Sequence, residues 1–130
     1  MNNIASSIQY PETSKKRYKH LRVWQEAHQL VLLIYSVTSK FPKEELYGLI
    51  SQIRRAAISV AANIVEGQSR KTKKEFLQFL YIASGSLAEL EYYLDLSFDL
   101  HFINQNVYNK LDKQRLLVGK LLNGLMESLK

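Results

Sequence analysis

The residue types that most often carry out chemistry are present, but their spacing does not build a reactive pair. Glu89 and Glu91 come nearest to paired carboxylates. Two residues apart on a helix, they point in directions that differ by about 200°, so they cannot act as an acid–base couple. His20, His28 and His101 each lack a second ligand three or four residues away, which is the spacing of a helix-borne metal pair. The sequence predicts no catalytic site, no metal site and no cofactor.

An acidic stripe on the third predicted helix needs partners. Glu91, Asp95 and Asp99 are spaced by four residues and therefore share one helix face. Their mutual repulsion predicts facing cations, supplied either by Arg54 and Arg55 or by a neighbouring subunit. The alternative is an acidic face that is simply solvated.

Asn63 and Glu66 lie in the most apolar region of the chain. If they face inward they need hydrogen bonds, because an unpaired buried polar group costs about 1–3 kcal/mol. We expect them to form a structural polar network with Arg54, Arg55 or Glu91.

Positive charge indicates the class of partner. The 130 residues include 18 Lys and Arg against 12 Asp and Glu, a formal net charge of +6, and residues 84–103 contain no Lys or Arg. This segregated charge favours acidic partners, with nucleic acid first, and the alternative is a solvated basic surface without a specific partner. The candidate nucleic-acid-binding residues are Lys15, Lys16, Arg17, Lys19, Arg22, Arg54, Arg55, Arg70, Lys71, Lys73 and Lys74.

Four amphipathic segments must position these side chains. Apolar residues recur at spacings of three and four, as on one face of a helix, over residues 19–40, 44–67, 72–100 and 106–130. Short connections between such helices predict antiparallel neighbours. We therefore expect one all-α domain, an antiparallel up-down four-helix bundle over residues 19–130, preceded by a flexible basic arm over residues 1–18.

Local signals indicate where the helices end. Phe41-Pro42 ends the first helix, because the residue before proline is pushed out of the α region. Gly67 is expected to end the second helix in the left-handed conformation. Thr72, with Glu75 three residues later, predicts a capping box for the third helix.

Small and surplus apolar residues indicate how the helices pack. Alanine, serine and glycine cluster over residues 56–62 of the second helix and 83–88 of the third, which predicts that these two form the tight central pair. Further apolar and tyrosine residues lie off the main stripes and predict self-association, with coverage inside one monomer as the alternative. The candidates for an oligomer interface or polar network are Asn63, Glu66, Tyr81, Glu91, Tyr92, Asp95 and Asp99.

An ordered set of short motifs resembles a known family. The motifs are residues 23–27 (VWQEA), 41–42 (FP), 45–49 (ELYGL), 52–57 (QIRRAA), 63–67 (NIVEG) and 85–91 (GSLAELE). Together they resemble the four-helix-bundle proteins encoded within intervening sequences of bacterial 23S ribosomal RNA genes. The resemblance covers about residues 18–103.

The resemblance implies properties that composition does not. Members of the family fold as up-down four-helix bundles and assemble into pentameric rings with basic surfaces. A similar protein, the accessory variability determinant of diversity-generating retroelements, works with a reverse transcriptase and structured RNA. The resemblance thus implies a non-enzymatic homo-oligomer.

Three functional hypotheses follow. The first is an oligomer that binds structured RNA through basic surface. The second is a protein–protein adaptor whose basic face docks an acidic or nucleic-acid-processing partner. The third, an enzyme, would need an unforeseen site near Asn63, Glu66 and Glu91.

The compartment is expected to be the cytoplasm. The sequence has no cysteine, which excludes disulfides, and Lys15–Arg17 are not followed by the apolar run of a signal peptide. No apolar stretch approaches the roughly 18 residues that cross a bilayer, so no membrane partner is expected.

Overall fold

The computed structural model describes residues 17–130, in which four long helices dominate. Helix α1 is Arg22–Thr38, α2 is Ser51–Gln68, α3 is Lys73–Asp99 and α4 is Gln105–Ser128. A 3₁₀ turn, Arg17–His20, precedes α1. A second 3₁₀ turn, Lys43–Glu45, and a π turn, Leu46–Ile50, lead into α2. Most of the predicted arm, with Lys15 and Lys16, lies outside the described residues.

The helices form an antiparallel bundle. Each packs against its neighbour in the chain, and α4 returns against α1. The Tyr108 hydroxyl, near the start of α4, donates to Asp95 near the end of α3. A cavity shared by Lys40 and Asn104 places the end of α1 beside the start of α4. The predicted all-α, up-down four-helix fold is confirmed.

One apolar stripe from each helix fills the centre, which removes the stripes from water and supplies the main driving force for folding. Its largest fully buried side chains include Leu30, Ile34, Ile53, Ile64, Leu80, Leu90, Leu94, Leu111 and Leu122. Two buried hydroxyl groups form hydrogen bonds within their own helices. Thr38 donates to the Ile34 carbonyl, and Ser97 donates to the Tyr93 carbonyl, each at 2.7 Å.

Helices α2 and α3 share the most extensive contact in the bundle, which confirms the predicted tight pair. At Gly67 the helices are so close that a Cβ atom would lie 2.7 Å from Phe76 Cδ1 and 3.0 Å from Phe79 Cβ. The prediction that Gly67 ends α2 in the left-handed conformation is wrong. Gly67 is buried inside α2, and its φ is not positive. Its missing side chain serves close packing and not a turn.

The ends of α3 are capped by side chain and backbone. The Glu75 N–H donates to Thr72 Oγ1 at 3.1 Å, which confirms Thr72 as the N-cap. The Thr72 hydroxyl donates to Glu75 Oε1 at 3.0 Å, whereas in the predicted capping box the carboxylate accepts from the Thr72 backbone N–H. At the other end His101 takes a left-handed φ of 64°. Phe102 N–H then reaches the Ser97 carbonyl at 2.9 Å, the six-to-one bond of a Schellman motif.

The start of the second helical segment differs from the sequence prediction. Regular α-helix was expected from Glu44, but two irregular turns precede Ser51, and Gly48 has non-helical φ and ψ of −115° and −110°. Leu46, expected in the buried stripe, is therefore 46% exposed, and Tyr47 is 94% exposed. The sequence signal missed the break because the apolar spacing continues through it.

Gly67→Ala tests the close approach of α2 and α3. We expect the free energy of unfolding to fall by about 1–2 kcal/mol, because overpacking costs about 1–3 kcal/mol and exceeds the helix-propensity gain of about 1 kcal/mol. Gly124→Ala is the matched control, since nothing lies within 4 Å of a Cβ there. It should be neutral or stabilising in urea unfolding at one protein concentration. Equal stabilisation by both variants would contradict the packing argument.

Candidate nucleic-acid interface

The predicted basic clusters meet at one end of the bundle. Because α1 and α2 are antiparallel, α1 begins at the end where α2 stops and α3 begins. The turn Arg17–His20 contacts α2 in agreement with this arrangement. We call this region the basic end, defined by Lys19, Arg22, Arg70, Lys71, Lys73 and Lys74.

Three lysines of the basic end carry charge that the fold does not use. Lys71, Lys73 and Lys74 are exposed and form no ion pair with any residue between 17 and 130. They surround the N-terminus of α3, where the helix dipole is positive and cations are unfavourable by about 0.3–1 kcal/mol. Their positive charge therefore does not contribute to the stability of the helix.

Arg70 is partly engaged by the protein itself. Its Nη2 lies 2.7 Å from Glu66 Oε1, and its guanidinium carbon lies 4.7 Å from the centroid of the Phe79 ring. The side chain remains 38% exposed. Arg70 thus anchors the turn between α2 and α3 while keeping part of its guanidinium accessible.

Arg54 and Arg55 have different environments. The Arg54 Nε donates to Thr38 Oγ1 at 2.9 Å, and its guanidinium stacks 4.4 Å from the Tyr35 ring centroid. Arg54 therefore ties α2 to α1 and serves the fold. Arg55 is exposed and has no hydrogen-bonding or ionic partner among residues 17–130.

The segment before α1 is held by aromatic contacts. Tyr18 meets Trp24 edge-on at 5.0 Å, and Trp24 stacks on His28 at 5.0 Å with an interplanar angle of 9°. Partial burial lowers the pKa of His28. The Lys19 carbonyl accepts from Gln25 Nε2 at 2.8 Å. These contacts hold the segment beside the start of α1.

Helix α4 supplies partners for two of the three carboxylates in the acidic stripe of α3. The Arg115 Nη2 lies 2.9 Å from Glu91 Oε2 and 2.7 Å from Asp112 Oδ1, and the Arg115 side chain is only 11% exposed. Asp95 accepts a 2.6 Å hydrogen bond from the Tyr108 hydroxyl, whereas Asp99 is exposed without an ion pair in the described chain.

The expectation that Arg54 and Arg55 face this stripe within one chain is wrong. They lie on α2, whereas the stripe faces α4. Sequence reasoning missed Arg115. The available signal was the i, i+3 pair of Asp112 and Arg115, which shares a face with Tyr108.

The polar network around Asn63 also differs from expectation. Asn63 Nδ2 donates to the Ser59 carbonyl at 2.8 Å and to Ser59 Oγ at 3.1 Å. Ser59 Oγ lies 2.7 Å from Ser86 Oγ across the α2–α3 contact. Glu66 is exposed and pairs with Arg70, so the predicted network with Arg54, Arg55 or Glu91 does not form.

Apolar side chains lie exposed on two faces. An open surface depression of about 580 Å³, here called the α1–α2 pocket, is lined by Tyr35, Leu46, Tyr47, Ile50, Ser51, Arg54, Arg55, Ile58 and Ser59. On α3, Tyr81, Ile82 and Tyr92 are 51%, 51% and 61% exposed. The candidate interface residues Tyr81 and Tyr92 thus face solvent in the single chain.

Residues 17–130 contain no group of three His, Asp or Glu side chains placed to hold a metal ion. No helix in the described part of the chain is long and apolar enough to span a membrane.

Comparison with known proteins assigns the family. Residues 19–124 match the family model described as 23S rRNA-intervening sequence protein. The chain belongs to this family. The match extends into α4, beyond the region in which the sequence motifs could be recognised. No curated protein sequence matches the chain.

A solved structure supports the fold of this family member. A protein from Bacteroides thetaiotaomicron, described as having unknown function and belonging to the S23 ribosomal protein family, aligns with a TM-score of 0.76. The two share 24% sequence identity, and the alignment covers 81% of this chain and 95% of the other. At that identity the similarity concerns the fold.

The bond between Tyr108 and Asp95 should have a pH signature. It raises the pKa of Tyr108 to about 12, chiefly because the Asp95 carboxylate accepts a hydrogen bond that only the protonated phenol can donate. A raised folded-state pKa means that the stabilisation is complete below the unfolded value of about 10 and is lost as pH rises toward about 12. Tyr108→Phe should cost about 1 kcal/mol at pH 8, after allowance for solvent exposure.

Urea unfolding at pH 8 and at pH 11 checks this expectation. The stability difference between wild type and Tyr108→Phe should shrink at the higher pH. Tyr92→Phe, an exposed position on the same pair of helices, is the control and should show no such convergence. A constant difference for Tyr108→Phe would contradict the assignment.

Proposed function

We propose that this family member is a non-catalytic, cytoplasmic homo-oligomer that binds RNA through its basic end. The observation that carries the proposal is the cluster of three exposed lysines, Lys71, Lys73 and Lys74, which lacks ionic partners within residues 17–130. The Lys19–Arg22 segment adds charge at the same end. A polyanion would supply the compensating charge that the fold does not.

Phosphate contacts explain the residue types and their placement. Lysine binds phosphate as a compact point charge and needs no fixed geometry, so a cluster of exposed lysines suits a backbone whose sequence varies. The N-terminus of α3 adds the partial positive charge of its dipole. The described residues offer helices but no sheet of stacking aromatics. Recognition by backbone charge and shape is thus favoured over base readout.

RNA is the polyanion to test first. The family description names an intervening sequence of 23S rRNA. A duplex DNA of matched length separates preference for RNA from general attraction to phosphate.

Self-assembly would strengthen weak phosphate contacts. A ring repeats the basic end once per subunit, which raises avidity without new contacts within any subunit. The exposed apolar residues on two faces, including Tyr47 at 94% and Tyr92 at 61%, support an assembly in which both faces are covered. A pentamer is the subunit number that the family resemblance implies.

RNA binding should depend on the lysine cluster and on salt. Replacing Lys71, Lys73 and Lys74 by Gln should lower affinity for a structured RNA at least about tenfold near 0.15 M salt. The log–log salt slope should fall by roughly 0.7–0.9 for each phosphate contact that is lost. A filter-binding or fluorescence-anisotropy salt series measures both quantities.

A matched control carries the same change in charge at other exposed positions. Lys40→Gln, Lys110→Gln and Lys113→Gln combined remove three charges outside the basic end and should leave the affinity within about twofold. Weak binding of the wild type to both nucleic acids at physiological salt would contradict the proposal. It would favour the adaptor function, in which the basic end docks an acidic protein.

Assembly has its own test. Light scattering of the purified protein at micromolar concentration and moderate salt should return several times the chain mass of 15.1 kDa, and five times for a pentamer. A monomer mass under these conditions would refute the oligomer.

A further inference from the structure

We infer that the α1–α2 pocket is the docking site for a second copy of this chain, which presents the outward face of α3. The inference rests on the self-assembly proposed above and specifies its interface. The proposed contact pairs two surfaces that residues 17–130 leave exposed and that carry opposite charge.

The pocket presents an apolar surface that residues 17–130 leave uncovered. Leu46 and Ile58 are 46% and 43% exposed, and Tyr47 is 94% exposed. The π turn that contains the non-helical Gly48 sets Leu46 and Tyr47 outside the core, where regular helix would have turned Leu46 inward. Such π turns occur frequently at functional sites, and exposed apolar clusters mark interaction surfaces.

The outward face of α3 carries exposed aromatic, apolar and small residues that can pack against this pocket. Tyr81, Gly85, Ala88 and Tyr92 follow one another at spacings of four, three and four, and all are exposed on one side of the helix. Ile82, adjacent to Tyr81, is 51% exposed. The two small residues between the tyrosines allow close approach of another surface, and tyrosine is enriched where protein surfaces bind one another.

Charge selects the pairing of these two surfaces. Arg55 lines the pocket, Glu89 lies beside the α3 face, and both are exposed without an ionic partner among residues 17–130. Docking the α3 face into the pocket of the next subunit can bring these two charges together. The neighbouring Arg54 is held by Thr38 and Tyr35, so it keeps its place in the pocket wall.

Symmetric pairings are disfavoured by the same charges. Two α3 faces packed together would bring two Glu89 carboxylates into one interface with no arginine to face them. Two pockets packed together would oppose Arg55 with Arg55. The remaining arrangement is heterologous, one surface meeting a different one, and such an interface closes into a ring when the rotation permits.

Charge reversal at each surface tests the pairing by light scattering. Arg55→Glu and Glu89→Arg should each reduce the wild-type mass toward 15.1 kDa. An equimolar mixture of the two variants should recover part of the mass, because every interface between the two variants pairs opposite charges. A ring with an odd number of subunits, such as a pentamer, keeps one like-charged interface in this mixture, so full recovery is expected only of the combined variant. The combined Arg55→Glu, Glu89→Arg chain should assemble as well. Circular dichroism should show unchanged helix content, since both side chains are exposed.

Matched controls reverse charge elsewhere. Lys113→Glu and Glu127→Arg change exposed residues of α4 by the same amounts and should leave the mass unchanged. Tyr47→Ser removes a side chain that is 94% exposed, and it should also lower the mass.

The outcomes separate the interface from assembly itself. A wild-type monomer would refute the proposed oligomer and this inference with it. A wild-type oligomer that Arg55→Glu, Glu89→Arg and Tyr47→Ser leave intact would overturn the inference alone, and would mean that the pocket takes another occupant. Loss of mass that the combined variant does not restore would overturn the Arg55–Glu89 pairing.

Discussion

The close contact between α2 and α3 is the constraint on which the remaining architecture depends. It requires a residue without a side chain at Gly67, because Phe76 and Phe79 occupy the space where a Cβ would be. Short side chains continue the contact along both helices, and Ser59 bonds to Ser86 within it. The turn that follows is thereby fixed at the point where the helices are closest. The exposed lysines of the basic end thus have a fixed position relative to the packed helices α2 and α3.

Register around the bundle is set by polar links at each helix–helix contact. In order from α1 through α4 and back to α1, they include Arg54–Thr38, Ser59–Ser86, Tyr108–Asp95 and Gln114–Glu26. Links of this kind add little net stability, because desolvation offsets their attraction, but a shifted helix would leave partners unpaired. Apolar packing tolerates sliding more readily than these bonds do. The polar links therefore specify one alignment out of several that the apolar stripes would accept.

Sequence reasoning predicted what depends on local periodicity. The four helices, their antiparallel order and the Thr72 cap all follow from patterns within a few residues of the chain. The tight α2–α3 pair also followed, because the small residues that permit it cluster visibly in two segments. Family membership could be stated from ordered motifs, and the family match over residues 19–124 confirmed it.

The errors concern what depends on contacts between helices. The sequence alone favours a turn at Gly67, because it does not show that the aromatic rings of α3 pack against this residue. Arg115 escaped notice because one of its two partners, Glu91, lies on a different helix, and only Asp112 is its neighbour on α4. The difference between Arg54 and Arg55 is set by which of two adjacent side chains faces α1, and periodicity alone left that choice open. The break at Gly48 is hidden because Leu46 keeps the apolar spacing of the helix that follows.

The lysines at the start of α3 make the native state electrostatically frustrated. Lys73 and Lys74 face a helix dipole of their own sign, and Lys71 repels both. Thermodynamic linkage requires that a ligand which binds only the folded chain also stabilises it. A polyanion that relieved this repulsion would thus raise the melting temperature of the protein as it bound. Occupancy of the basic end would then be coupled to the folding equilibrium of the α2–α3 pair.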